Sequence, residues 1–300
     1  MVHANCYVLI VQRRERNMEK IKFLIVLILL VPYVNAALSR PKWTKASKHF
    51  VLVHGACHGS WSWYNIVALL RSSEHNVTAL DLGASGINPK QILEIPHLSN
   101  YFSPLMEFMA SLPANKRVVL VGHSLGGFVI SKAMESFPEN ILVSIFVIAG
   151  MPGPTLNATT IYSKGNRLLA SQLDNRVTYD NGPNNPPTTF NFGPKYLASN
   201  LYQLSPIQDW ALATMLVRPR YLYSLEDISK EMVLSSKRYG SIRRVFVVAA
   251  EDKQLKKEFQ QWMIEKNPPD EVEEIPGADH MVMMSKPLQL FTLLLRIAHK

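Results

Sequence analysis

Short, continuous apolar runs separated by helical patterns are the feature that most limits what this chain can fold into. The runs are four to eight residues long, rich in β-branched side chains and bordered by Gly or Pro, which favours strands over buried helices. They span Phe50–Val53, Val77–Leu80, Arg117–Val121, Ile141–Ile148 and Val245–Val248. Because their hydrophobicity is continuous and does not alternate, both faces of each strand should be covered, as in a parallel sheet.

Helical patterns lie between these runs. Ser103 and Pro104 predict a helix N-cap and first helical residue, and apolar residues over 105–112 repeat at helical spacing. Two further helices are predicted over 258–266 and 288–298. Alternating strands and helices predict an α/β fold with a mostly parallel, doubly wound sheet.

The segment from about 154 to 235 breaks this alternation. It is rich in Asn, Pro and aromatic residues and contains no clear strand pattern. We expect a mainly helical cap inserted over the carboxyl edge of the sheet, where open α/β sheets bind ligands. Residues 48–300 would then be a single domain that carries this insertion.

Residues 1–36 have the pattern of a secretory signal peptide. A basic stretch precedes the apolar run Phe23–Val31, and a small residue, Ala36, ends the segment. The apolar run is shorter than the roughly 20 residues that span a bilayer, which favours cleavage near Ala36 over an uncleaved signal anchor. Export would make two sequons, at Asn76 and Asn157, available for glycosylation.

The composition excludes several classes of protein. The 300 residues are 47% hydrophobic and 18% charged, so the chain can bury a large core and is not disordered or collagen-like. The formal net charge is +9, but the sequence after the leader has no long block of like charges. It also has no motif that recognises DNA or RNA. We therefore expect no nucleic-acid partner. Two cysteines are too few for a disulfide-rich fold, and no Cys/His spacing suggests a metal site.

The strongest functional signal is the pentapeptide Gly122-His123-Ser124-Leu125-Gly126, directly after a predicted strand and before a helical run. A glycine on each side permits a tight strand-to-helix turn that exposes the serine hydroxyl at a helix N-terminus. The oxyanion hole of such a site uses the N–H of the residue after the serine, here Leu125, and one from the loop after an early strand. In this chain the second donor is expected to be Ala56.

An acid and then a histidine should follow such a serine in chain order. Asp252 comes just after the strand around Val245–Ala250, and His280 follows a short predicted strand over 271–275. A serine hydroxyl is a poor nucleophile until a base removes its proton, and a carboxylate holds that base in one tautomer. We therefore predict a catalytic triad of Ser124, Asp252 and His280.

Other candidate residues fit less well. Asp279 adjoins the histidine and is expected to make a loop hydrogen bond. Glu251 lies one residue before the expected position of the acid, and Asp81 precedes the serine, which breaks the expected chain order. Cys57 has no assigned base and is expected to be a small packed side chain. His54 and His58 border the early loop, and His123 lies inside the turn. His299 is next to the end of the chain.

Several independent motifs resemble those of the plant methylesterase family, a branch of the α/β-hydrolase superfamily, and the resemblance covers roughly 48–300. These motifs are His49–Gly59, Val77–Leu82, Gly122–Gly127, Phe192–Tyr196, Glu251–Lys253, Glu258–Gln260 and Gly277–Met281. The resemblance implies an α/β-hydrolase fold, the same triad, and cofactor-free hydrolysis of methyl salicylate, methyl jasmonate or methyl indole-3-acetate. A homodimer would also be in keeping with it.

Two positions separate this family from the related hydroxynitrile lyases. The lyases have Thr after the loop histidine and Lys after the catalytic histidine, where this chain has Gly55 and Met281. A leaving cyanide would lack a cationic partner here, which favours an esterase. The chain departs from the family in its leader, since the family is typically cytosolic, and in Lys256, where the family has Pro.

Cap residues are expected to form apolar walls around the acyl group, or alternatively to be the cap's own core. They are Phe192, Tyr196, Tyr202, Trp210 and Met215, with Met281 next to the histidine as a further substrate contact. The sequence leaves open which methyl ester is preferred. A hormone-binding protein with little turnover and a lyase or decarboxylase also remain open alternatives.

Overall fold

Six parallel strands form the central sheet, in a computed structural model that describes residues 47–166 and 172–300. The described residues contain nine strands: β1 His49–Val53, β2 Asn76–Leu80, β3 Val118–His123, β4 Ile141–Val147, β5 Arg176–Thr178, β6 Thr189–Asn191, β7 Arg220–Tyr221, β8 Arg244–Ala249 and β9 Glu271–Ile275. The order in the main sheet is β2-β1-β3-β4-β8-β9, and every neighbouring pair is parallel. The predicted doubly wound parallel sheet is confirmed.

Ten helices surround and extend this sheet in the described part of the chain. They are α1 Tyr64–Ser72, α2 Leu98–Ala110, α3 Gly126–Ser136, α4 Ala158–Asn166, α5 Pro194–Tyr196, α6 Ile207–Leu216, α7 Leu225–Glu231, α8 Lys257–Lys266, α9 Val282–Ser285 and α10 Pro287–Ala298. Short 3₁₀ turns and a π-helical turn over Leu197–Leu201 connect some of them. None of the helices described is long and apolar enough to cross a membrane.

Alternate residues of the four inner strands, β1, β3, β4 and β8, pack into two separate cores, one on each face of the sheet. In β1, Leu52 belongs to the core that contains α1 and α10, whereas Val51 and Val53 belong to the core that contains α2 and α3. All three side chains are fully buried. Continuous apolar runs are therefore what this sheet requires, because helices cover both of its faces.

Helix α2 begins at Leu98 and not at Ser103, so the predicted N-cap is wrong. The cap comes from a distant part of the chain, since the N–H of Leu98 donates to Asp227 Oδ2 at 2.7 Å. Pro104 lies inside the helix and cannot donate to the carbonyl of Asn100. That carbonyl accepts a hydrogen bond from Ser103 Oγ at 3.1 Å. A local sequence pattern could not show this, because the compensating groups are tertiary or side-chain contacts.

The segment over 154–235 contains α4 to α7, as expected of a mainly helical cap, but it also contains strands. Strands β5, β6 and β7 form a small antiparallel sheet, in which Val177 pairs with Phe190 and Phe190 with Arg220. Each strand has only two or three residues, too few for an apolar periodicity to be visible in the sequence. The boundaries of the insertion stay a prediction, and the leader over 1–36 lies outside the described residues.

We expect Asp227→Ala to lower the free energy of unfolding by about 1 kcal/mol, the usual cost of losing a helix cap. Its carboxylate caps α2 from outside that helix. Urea denaturation of the variant measures this effect, with Glu226→Ala as the control, because Glu226 is the exposed neighbour in the same turn of α7. Equal destabilisation by both substitutions would contradict the proposed capping contact.

Candidate active site

Ser124 stands at a sharp turn between β3 and α3. Its φ angle of 52° lies in the left-handed region, which a non-glycine residue rarely adopts. A Cβ atom on Gly126 would meet the carbonyl oxygens of His54 and Val53 at 2.7 and 2.8 Å, and one on Gly122 would meet the Gly126 oxygen at 2.8 Å. Both glycines are therefore required by close backbone approach, and the turn presents Ser124 at the start of a helix.

The three side chains of the predicted triad lie within hydrogen-bonding distance of one another. His280 Nδ1 is 2.8 Å from Asp252 Oδ2, and His280 Nε2 is 3.1 Å from Ser124 Oγ. The ionised carboxylate only accepts hydrogen bonds, so Nδ1 carries the proton and Nε2 is left to accept from the serine hydroxyl. Both Asp252 and His280 are buried. Their catalytic roles stay a prediction, but the arrangement suits proton abstraction from Ser124.

The loop after β8 fixes the carboxylate. Asp252 Oδ1 accepts hydrogen bonds from the N–H groups of Gln254 at 2.7 Å and Leu255 at 3.0 Å, which leaves Oδ2 for the histidine. Lys256, where the resembled family has Pro, is the N-cap residue of α8 and has a φ angle of −48°. This angle is near the range that a proline ring imposes, so Lys256 adopts a proline-like φ angle.

The loop after β1 borders the cavity beside Ser124. Gly55, Ala56 and Leu125 all line this cavity. His54 Nδ1 donates to the Gly55 carbonyl at 2.8 Å, and its Nε2 accepts from the N–H of Leu82 at 3.1 Å. The Gly55 carbonyl and the Ala56 N–H belong to the same planar peptide unit and point in opposite directions. His54 therefore holds the Ala56 N–H in a fixed orientation, a role that the sequence analysis did not identify.

Two further histidines are structural. His123 Nε2 donates to the backbone carbonyl of His280 at 2.8 Å and so anchors the loop that carries this residue. His58 Nδ1 donates to the Ala56 carbonyl, and its Nε2 accepts from Tyr202 Oη, both at 2.8 Å. Burial lowers the pKa of His123 well below its usual value and that of His58 to about 3. Both rings are therefore neutral at physiological pH.

The cavity next to Ser124 contains about 640 Å³ of empty space, including solvent at its mouth. Among the predicted substrate contacts, Phe192 lines it, whereas Tyr196, Trp210 and Met281 do not. Tyr196 lies behind Phe192, with the rings stacked at 5.6 Å, and donates its hydroxyl hydrogen to Gln254. Trp210 Nε1 donates to the Pro194 carbonyl at 3.0 Å. Met281 is fully buried in the core, so none of these three residues lines the cavity, and their role as substrate contacts stays a prediction.

Arg220 is a cavity residue that the sequence analysis missed. Its side chain is 4% exposed and lines the cavity together with Tyr162, Asn166 and Ser124. An arginine in a two-residue strand gives no recognisable sequence signal, because only the tertiary fold turns it inward. Ile161, Phe128, Leu255 and Phe259 provide apolar surface around the same space.

The rival candidates have other functions in the structure. Asp279 accepts from the N–H of Leu204 at 2.9 Å and from Ser205 Oγ at 2.8 Å, so it ties the cap to the loop of the histidine. Asp81 Oδ1 accepts from the N–H of Ser60 at 2.6 Å, which is a loop contact. Burial raises the pKa of the Cys57 thiol to about 11, which argues against a thiolate nucleophile.

This fold and the arrangement around Ser124 define a hydrolase-type site, and the comparisons with known proteins agree. The chain matches the model of the alpha/beta hydrolase family over residues 50–292. It is 51% identical to methyl jasmonate esterase 1 of Vitis vinifera over 82% of this chain and 95% of that protein. It is 46% identical to salicylic acid-binding protein 2 of Nicotiana tabacum over 85% of this chain and 99% of that protein. The chain belongs to the α/β-hydrolase family, within its plant methylesterase branch.

A solved structure in the same fold is still more similar in sequence. A variant of tomato methylketone synthase I complexed with beta-ketoheptanoate superposes with a TM-score of 0.82 at 68% identity, covering 84% of this chain and 97% of that one. The esterase names of the curated relatives support an esterase role for this chain.

Acid should destabilise the protein through its buried neutral histidines. An unfolded histidine binds a proton below about pH 6.5, whereas His58 does not do so until its pKa of about 3, so stability is lost as pH falls through this window. We expect His58→Gln to reduce the pH dependence of the unfolding free energy between about pH 6 and 5 by about 1.4 kcal/mol per pH unit. Urea denaturation at each pH measures it.

Tyr202→Phe is the matched control for this effect. It removes the hydroxyl that donates to His58 but leaves the imidazole to titrate, so overall stability should fall while the pH dependence persists. An unchanged pH dependence in His58→Gln would show that this histidine is not held neutral by the fold.

Proposed function

We propose that the protein is a serine carboxylesterase that hydrolyses methyl esters of small carboxylic acids through an acyl-enzyme. The observation that carries this proposal is the continuous hydrogen-bonded series Ser124–His280–Asp252, of which Ser124 and His280 line a cavity. This series is what acyl transfer by an activated serine requires. The esterase relatives support the same reaction class.

The proposed reaction begins when His280 Nε2 takes the proton of Ser124 as the oxygen attacks the ester carbonyl. The oxyanion would be stabilised by the N–H groups of Ala56 and Leu125, which both line the cavity. Asp252 would stabilise the imidazolium that forms. The protonated His280 then donates its proton to the departing methoxy group, and methanol leaves. Water activated by His280 would attack the acyl-enzyme, release the acid and restore the serine.

The substrate panel follows from the resemblance and the relatives. Methyl salicylate, methyl jasmonate and methyl indole-3-acetate are the proposed candidates. The planar Phe192 ring and the aliphatic side chains of Ile161, Leu201 and Leu255 at the cavity wall suit such acyl groups. A hydroxynitrile-lyase reaction is less well supported, since Met281 is buried away from the cavity and carries no charge.

A second candidate reaction is decarboxylation of a β-keto acid to a methyl ketone and carbon dioxide. The observation that favours it is the 68% identity to a methylketone synthase, a higher value than the 51% to the esterase from Vitis vinifera. Such a decarboxylation needs no serine nucleophile, whereas ester hydrolysis does. The two reactions can therefore be separated by substituting Ser124.

We expect Ser124→Ala to lower kcat/KM for methyl-ester hydrolysis by about 10⁴-fold or more, while the fold persists. Release of methanol or free acid from the ester panel measures this, with product binding as a check on pocket integrity. Ser131→Ala is the control, because Ser131 is a buried serine of α3 that bonds the Gly127 carbonyl and is not among the residues lining the cavity.

Two results would contradict the esterase proposal. One is wild-type rates of ester hydrolysis in Ser124→Ala, and the other is binding of the acids with no turnover of any ester. Formation of a methyl ketone from a β-keto acid at equal rates in wild type and Ser124→Ala would support the second candidate.

We further propose that the protein enters the secretory pathway through its leader; a cytosolic location, typical of the resembled family, is the alternative. Both sequon residues, Asn76 and Asn157, are exposed, so the fold leaves them accessible to glycosylation. We expect the native plant protein to begin near Ala37 and to lose mass on deglycosylation. Asn76→Gln and Asn157→Gln should each remove part of that mass. A native chain that retains residues 1–36 without glycan would contradict export.

A further inference from the structure

The cavity next to Ser124 contains a buried cation that no carboxylate of the described residues neutralises. Arg220 lines this cavity and is 4% exposed, yet it forms no ion pair with any Asp or Glu in the described part of the chain. Residues 167–171, which follow α4 in the sequence, carry no acidic side chain either. An arginine keeps its charge in a protein interior, so burying it without an anion is costly unless hydrogen bonds compensate.

The hydrogen bonds within the described residues satisfy only part of the guanidinium. Nη1 donates to Tyr162 Oη at 3.1 Å, and Nη2 donates to Asn166 Oδ1 at 2.5 Å. Nε is buried and has no partner in the described part of the chain. Since a guanidinium carries five N–H donors, more than half of them find no acceptor among the described residues.

Aromatic rings account for part of the environment but not for the missing acceptors. The guanidinium carbon lies 5.3 Å from the ring centre of Phe190 and 5.7 Å from that of Tyr162. Cation–π contacts of this kind stabilise the charge through the ring faces. They leave the remaining N–H groups of the guanidinium plane, those not bonded to Tyr162 or Asn166, to bind a planar, bidentate acceptor, which is the geometry of a carboxylate.

The segment that carries Arg220 is fixed relative to the site. The N–H of Arg218 donates to the Cys57 carbonyl at 2.9 Å, next to Ala56 in the loop that follows β1. Arg218 Nη1 also donates to the carbonyls of Gly86 and Asn88 at 3.0 and 2.8 Å. These bonds hold the backbone of the segment beside the site, and the bonds to Tyr162 and Asn166 hold the guanidinium itself, which suits selection of a substrate by length.

We propose that Arg220 binds a carboxylate on the acyl part of the substrate, so that the preferred esters are monomethyl esters of dicarboxylic acids. This inference rests on the proposed esterase function and narrows its substrate class. The ester carbonyl lies at Ser124, and the second, ionised carboxylate of the same molecule forms a bidentate pair with the guanidinium. The charge of the substrate supplies the counter-ion that the described residues do not.

The test compares each half-ester with a neutral ester of the same shape. Monomethyl adipate is matched by methyl 6-methylheptanoate, in which an isopropyl group replaces the carboxylate, and half-esters from succinate to suberate vary the length. For the wild type, we expect kcat/KM to favour the best half-ester over its neutral match. In Arg220→Gln that ratio should fall by about tenfold or more, through KM, because a charge-assisted bidentate pair is lost.

Two further variants separate charge from folding. Arg220→Lys keeps a cation but not the planar fork, so the ratio should be intermediate. Arg176→Gln alters an exposed arginine of the same small sheet and should leave the ratio at the wild-type value. Should Arg220→Gln fail to fold, inhibition of the wild type by adipate against hexanoate, at low and high salt, tests the same contact.

The outcomes distinguish this inference from the proposed function. A wild type that cleaves neutral and half-esters equally, or an Arg220→Gln variant with an unchanged ratio, would overturn the carboxylate site while leaving the esterase intact. A wild-type protein that cleaves neither the half-esters nor the neutral esters would instead overturn the proposed function. Stronger inhibition by adipate than by hexanoate, weakened by salt, would support the site.

Discussion

The left-handed turn at Ser124 is the constraint on which the rest of the site depends. With a φ angle of 52°, this residue turns the chain from β3 into α3 within one step. The turn is possible only because Gly126 lies against the carbonyls of Val53 and His54, at the end of β1. The same contact therefore sets two things at once: the position of the proposed nucleophile and the position of the loop that carries the Ala56 amide.

Neutral histidines extend this constraint to the neighbouring loops. His54 holds the Gly55–Ala56 peptide, His58 joins the same loop to Tyr202 of the cap, and His123 holds the backbone of His280. Burial lowers the pKa of all three, so each ring keeps one donor and one acceptor nitrogen. Among the described histidines that line the cavity, His280 alone has a carboxylate at hydrogen-bonding distance, 2.8 Å away, which places it to stabilise a positive charge during a reaction.

The sequence predicted the parts of the molecule that local pattern and chain order control. The main sheet follows from continuous apolar runs, and the Ser124, Asp252 and His280 side chains meet because parallel strands end at one edge. The sequence did not predict the start of α2 at Leu98, which depends on a tertiary contact with Asp227. It also could not show that Met281 is buried in the core while Arg220 lines the cavity. Which way a cap side chain points is decided by packing between segments far apart in sequence.

The cavity residues come from two parts of the fold, the loops of the main sheet and the cap. The reaction class, which depends on the loops, is easier to infer from the sequence than the substrate, which depends on the cap. The groups proposed for chemistry stand on loops at the carboxyl edge of the main sheet, where the backbone leaves few alternatives. Phe192, Tyr162 and Arg220 belong to the cap, whose strands are short and whose side chains are positioned by tertiary contacts, such as the hydrogen bonds of Asp279 with Leu204 and Ser205. Substituting Arg220 would change the charge of the cavity at a position far in sequence from the turn at Ser124. Substrate choice can therefore diverge among relatives that retain the fold and the same arrangement around the serine.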